Sequence, residues 1–78
     1  MAQYSYLVKY TFLKSNGKMV SETIKSMIDV LSKYKTLCSV SGEKPLRFSI
    51  NKNGRFKHTG ENLIFEVIRF QRGWKITP

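Results

Sequence analysis

The sequence predicts an α+β domain: one antiparallel sheet of about four to five strands with a single helix packed on one face. Three observations predict it. Residues 4–13 and 46–70 alternate in strand fashion and are rich in aromatic and β-branched residues. Asn-Gly pairs at 16–17 and 53–54 break that alternation as turns do. Between them, residues 20–34 change to helical spacing.

The first strand is read in YSYLVKYTFL. Tyr4, Tyr6, Val8, Tyr10 and Phe12 share one parity, and Leu7, Lys9, Thr11 and Leu13 share the other. In VSETIKSMIDVLSKYK, Val20, Ile24, Met27, Ile28, Leu31 and Tyr34 recur every three or four residues. Ser21 is suited to cap that segment, Glu22 to its first turn, and Lys33 and Lys35 to its last. The predicted helix therefore runs from about 22 to 35. Leu37–Val40 suggests a short strand, Ser41–Pro45 a loop, and Leu46–Ile50 a strand that begins after Pro45. LIFEVIRF, residues 63–70, is apolar on both parities and suits a central strand.

The Asn53-Gly54 turn admits two registers. A two-residue loop pairs Lys52 with Arg55 and opposes Ile50 to Lys57, which mixes apolar with charged positions. A three-residue loop, Lys52-Asn53-Gly54 with Gly54 left-handed, pairs Asn51 with Arg55. That register makes one face apolar (Phe48, Ile50, Phe56) and the other polar and basic (Arg47, Ser49, Asn51, Arg55, Lys57, Thr59). Because a one-residue slip exchanges the faces, this consistency favours the three-residue loop. The same logic predicts a last hairpin with Gln71-Arg72-Gly73 as its loop. It opposes Phe70 to Trp74, Ile68 to Ile76 and Arg69 to Lys75.

With 78 residues, the whole chain, 1–78, reads as one small domain without repeat or linker. Cys38 is its one cysteine, so no intramolecular disulfide forms, and a reducing, cytoplasmic setting is expected. No leader pattern and no apolar run long enough to span a bilayer are seen, so no membrane partner is expected. Free sheet edges and a small core make a homodimer plausible.

Fourteen Lys and Arg oppose five Asp and Glu, for a net charge of +9. The excess concentrates in residues 44–78, where Lys44, Arg47, Lys52, Arg55, Lys57, Arg69, Arg72 and Lys75 face only Glu61 and Glu66. Such a field draws nucleic acid or an acidic protein. The expected function is non-catalytic nucleic-acid binding, to single strand or duplex. Arg47, Lys52, Arg55, Lys57, Arg69, Arg72 and Lys75 are expected to contact phosphates, and Trp74 to stack on bases. Asn51 and Asn53 at the turn could read an adenine edge, although such residues commonly form turns. A second reading is a small accessory or inhibitor module that docks on an acidic protein, by sheet augmentation for example.

Catalysis has little support. The acids show no paired spacing, there is no Gly-rich phosphate loop, and one His with one Cys makes no metal site, so no cofactor or metal is expected. His58, beside Arg55 and Lys57, would suit a small metal-independent ribonuclease, but alternation turns it toward Phe48 as a packing neighbour. Glu66, amid apolar residues, is either a buried acid or an outer-face residue paired with a lysine.

Overall fold

Aromatic and β-branched alternation makes Tyr4–Phe12 a nine-residue strand, β1. The computed structural model describes residues 4–15 and 17–71. After β1 the chain turns, with Gly17 left-handed at φ 70°, and returns as β2, Met19–Ile24. A helix, α1, spans Met27–Ser41, and two further strands follow, β3 at Arg55–Thr59 and β4 at Leu63–Gln71. The sheet is antiparallel, in the order β2-β1-β4-β3, with the helix against one face.

The helix lies later in the chain than its spacing predicts. Val20, Thr23 and Ile24 are β-branched, and the turn before them returns the chain alongside β1, where Val20 meets Tyr10 and Ile24 meets Tyr6. Pairing therefore takes residues that periodicity alone assigned to the first helical turn. Ser26, not Ser21, occupies the N-cap position, with extended backbone, and its carbonyl accepts the Val30 N–H at 3.0 Å. Leu37–Val40 is helix rather than strand. Helix α1 stops at Gly42, left-handed at φ 76°, where the Glu43 N–H bonds the Cys38 carbonyl at 2.9 Å and the Gly42 N–H bonds that of Ser39 at 3.3 Å. This Schellman arrangement satisfies carbonyls that the helix end would otherwise leave unpaired. The buried stripe is accordingly Val30, Tyr34, Leu37 and Cys38, while Ile28, expected in the stripe, is 77% exposed.

One face of the sheet gives Tyr6, Val8, Phe56, Leu63, Phe65 and Val67 to the core, against the α1 stripe. Burying side chains of this size stabilises the fold by roughly 1.5–3 kcal/mol each. Residues 43–54 cross from the helix end to β3 without forming the strand expected at Leu46–Ile50. Their backbone joins the ladder only at its end, where the Asn51 N–H bonds the Arg55 carbonyl at 3.0 Å. Phe48 and Ile50 nonetheless pack inward, Phe48 with its ring 4.8 Å from that of Phe56. Arg47 and Ser49 are exposed, as the three-residue register requires.

The turn matches that register. The Gly54 N–H bonds the Asn51 carbonyl at 2.8 Å, and Gly54 is left-handed at φ 77°. Its carbonyl accepts the Arg69 N–H at 2.7 Å, which ties the turn to β4. A Cβ at position 54 would sit 3.3 Å from the Arg69 carbonyl oxygen. Gly54→Ala is therefore expected to destabilise the protein by about 1–2 kcal/mol. A lower urea midpoint with unchanged secondary structure is the expected readout; an unchanged midpoint would contradict this turn geometry.

Candidate nucleic-acid interface

Gly54 sets the phase of β3. Phe56 and His58 turn to the core, and Arg55, Lys57 and Thr59 turn to solvent. The register of the sheet extends that exposed face across its strands. Lys57 stands opposite Glu66, which in turn stands opposite Lys9. Arg55 stands opposite Ile68, which stands opposite Leu7. This outer face lies away from α1. Adjacent strands lie about 4.8 Å apart, so Lys9 and Lys57 flank Glu66 on backbones separated by about 10 Å. Glu66 is thus a half-buried outer-face residue between two lysines, not a core acid.

The expected cationic cluster is only partly assembled. Arg55 and Lys57 share the outer face, and Lys52 is exposed at the adjoining turn. Arg47 is exposed in the unpaired segment before the turn. Arg69 is a correction: it has the parity of Phe65 and Val67, so it points to the helix side of the sheet, opposite to Arg55 and Lys57. There its guanidinium lies 4.7 Å from the centre of the Tyr4 ring, a cation–π contact. Arg72, Trp74 and Lys75 lie outside the described residues, and with them the predicted last hairpin. Strand β4 is already paired at Ile68 on both sides, to Leu7 and to Arg55.

Two residues of the outer face escaped the sequence reading. Lys9 joins Lys57 only through β1–β4 pairing, and that pairing links opposite ends of the chain. Phe70, 44% exposed, is the aromatic residue of this face, on the parity of Glu66 and Ile68. Its exposure had no signal in a segment apolar on both parities. Asn51, by contrast, is committed to its own turn: its Oδ1 accepts the N–H groups of Asn53 at 2.9 Å and Arg55 at 3.1 Å.

His58 belongs to a different structure, on the inner side. It is 3% exposed. Its Nδ1 lies 2.8 Å from the Tyr34 hydroxyl and its Nε2 lies 3.2 Å from Glu43 Oε1. With the Nε2–H tautomer assigned from this network, every donor finds an acceptor. The Leu46 N–H donates to the Tyr34 oxygen at 2.8 Å, the Tyr34 O–H donates to Nδ1, and Nε2–H donates to Glu43. The second Glu43 oxygen accepts the Asn62 N–H at 2.9 Å. The expected packing neighbour of His58 was Phe48; the ring that meets it is that of Tyr34, 5.5 Å away between centres. Burial pushes the Tyr34 phenol and the Cys38 thiol above their ordinary values, which keeps both protonated at neutral pH.

With both ring nitrogens engaged and almost no exposed surface, His58 pins residues 43–46 to β3 and has no open approach for a phosphate. Among the described residues, no group of three His, Cys, Asp or Glu could hold a metal ion. No helix among them is long and apolar enough to cross a membrane. No family model, no curated protein and no solved structure matches the chain.

Two outcomes are expected of the inner network. Tyr34→Phe leaves His58 Nδ1 and the Leu46 N–H without their partner and should cost about 1–3 kcal/mol, read from urea unfolding against an unchanged far-UV spectrum. Glu43 has a carboxyl held below its ordinary value of 4.5, first by the Asn62 N–H and also by His58. A lowered folded value means the contribution is present above the unfolded value. It is lost as pH falls from 4.5 through the lower folded value. Thermal unfolding of the wild type should show this acid-side loss, and Glu43→Gln should flatten it; equal slopes in both proteins would remove Glu43 as the cause.

Proposed function

We propose that the protein binds nucleic acid, without catalysis, through the outer sheet face and the adjoining 52–54 turn. The observation that carries this reading is the shared orientation of Arg55 and Lys57, with Lys9 on the same face by register and Lys52 exposed at the turn. Exposed cations on a broad β surface attract phosphates without reading bases, and release of counterions makes such binding salt-dependent. Arg55 can make a bidentate phosphate contact that a lysine cannot. Phe70 offers one exposed ring to an unpaired base. Glu66 opposes the lysines on either side of it and limits the field of the face.

A labelled single strand and a duplex of equal length, titrated at low and moderate salt, test the reading. The Arg55→Ala/Lys57→Ala double variant should weaken binding and reduce the slope of log affinity against log salt by about 2 on duplex. Glu66→Gln should tighten binding, since it removes the negative charge between Lys9 and Lys57. Absence of binding at low salt, or an affinity indifferent to all three substitutions, would refute the interface.

The same face also carries Leu7, Ile64 and Ile68, half-buried, beside exposed Phe70. These apolar residues between cations favour the second reading, a module that docks on an acidic protein. Retention of one stoichiometric acidic protein from nuclease-treated lysate, lost in the Arg55→Ala/Lys57→Ala variant, would select that reading over nucleic acid.

A further inference from the structure

We propose that Asn53–Gly54 is a latent self-modification site, which the folded turn holds closed and which, once reacted, prevents that turn from being rebuilt.

In an Asn-Gly pair the glycine nitrogen can attack the side-chain carboxamide of the asparagine before it, because glycine has no side chain to crowd the approach. A bond forms between the Gly54 nitrogen and Asn53 Cγ. The bond from Cγ to the side-chain nitrogen of Asn53 breaks, and that nitrogen leaves as ammonia with the proton given up by Gly54. The product is a cyclic imide. Water then opens the ring at either of its two carbonyl carbons, which leaves aspartate or isoaspartate at position 53. The reaction consumes water alone and involves no redox change. Asn53 is exposed to that water.

The folded turn opposes the first step. The Gly54 N–H donates to the Asn51 carbonyl at 2.8 Å, and an imide nitrogen carries no proton with which to keep that bond. The Gly54 carbonyl accepts the Arg69 N–H at 2.7 Å, so Gly54 is held on both sides of its Cα. Around it, Asn51 Oδ1 accepts the N–H groups of Asn53 at 2.9 Å and Arg55 at 3.1 Å. Gly54 is also buried, although Asn53 is exposed. The attacking nitrogen is thus withheld while the group it attacks is open to solvent. Ring closure needs the turn to open first, and local opening sets the rate in the folded protein.

The way back is closed by the product. Isoaspartate routes the backbone through Cβ and adds one atom to a loop whose length fixes the register of β3. Either product also sets a carboxylate between Lys52 and Arg55. This chemistry stands whether or not the outer face binds nucleic acid.

Incubation of the full chain at mildly alkaline pH, folded in buffer and unfolded in guanidinium chloride, tests the proposal. Peptide mapping by mass spectrometry follows Asn53 and, separately, Asn16, whose glycine neighbour makes it a reference pair in the same sample. In the unfolded chain the two sites should react at similar rates. Asn53 in the folded chain should react about ten-fold more slowly than in the unfolded chain, as the net worth of the hydrogen bonds to be broken implies. Asn51→Ala removes the Oδ1 acceptor and should speed the folded reaction several-fold; Asn51→Asp keeps an acceptor there and should restore the slow rate. Circular dichroism checks that both variants fold. Equal rates for Asn53 in the folded and unfolded chain, or an Asn53 that stays intact in the unfolded chain while Asn16 reacts, would overturn the proposal. So would an Asn51→Ala protein that folds and reacts like the wild type. Should Asn51→Ala fail to fold, the wild-type comparison decides alone. The isoaspartate form, isolated and refolded, should unfold at a lower denaturant midpoint than the unmodified chain; an equal midpoint would overturn the one-way step.

Discussion

The antiparallel ladder between β1 and β4 is the constraint on which the rest of the structure depends. It runs from Tyr4 opposite Gln71 to Phe12 opposite Leu63 and joins the two ends of the chain at the middle of the sheet. Each of the two strands then carries its hairpin partner outward, β2 on one side and β3 on the other. The register of this one ladder decides which face every residue of the sheet occupies, because side chains alternate along a strand. Val8, Phe65 and Val67 go inward together; Lys9 and Glu66 go outward together. Such pairing closes nearly the whole chain into a loop, which is a slow, entropically costly step that local sequence cannot direct by itself.

Tyr34 is the second point of dependence. Its ring, fully buried, meets Phe48, Phe56, His58 and Phe65, so the helix, the crossing segment and two strands converge on one side chain. Its hydroxyl joins the Leu46 amide to His58, and His58 joins it to Glu43. Buried polar groups stabilise a fold only when they are satisfied, and this chain of bonds satisfies them while holding a segment that makes little ladder of its own. Gly60 belongs to the same arrangement: a Cβ there would collide with the Glu43 carboxylate. The polar network and the outer cationic face therefore share β3 but not a side of it. That separation gives His58 a structural task and leaves Arg55 and Lys57 exposed on the opposite side of the strand.

The turn at residues 52–54 was legible because both of its constraints are local. Only Gly54 tolerates the left-handed backbone that the three-residue loop needs, and only that loop sorts Phe48, Ile50 and Phe56 from Arg55 and Lys57. The helix was misplaced because Val20, Ile24, Met27 and Ile28 satisfy helical spacing while also suiting a strand and a connection. What decided between them was the surface of β1 waiting to be paired. Once β2 had taken Met19–Ile24, the helix could begin only later, and Leu37 and Cys38 became its core. Arg69 was grouped with the other cations through the predicted last hairpin, opposite Lys75, although it shares the parity of Leu63, Phe65 and Val67, and the pairing of β4 with β3 turns that parity away from Arg55 and Lys57.

By itself, the sequence determined the α+β class, the strand alternation of β1, the Gly54 turn and the exposure of Arg55 and Lys57. Each follows from alternation or backbone conformation within a few neighbouring residues. Tertiary structure decided where α1 begins, which strands lie in the middle of the described sheet, that Lys9 and Glu66 join Lys57, and that His58 is held between Tyr34 and Glu43. Those outcomes depend on contacts between residues far apart in the chain, where register and burial, rather than local preference, choose the partner.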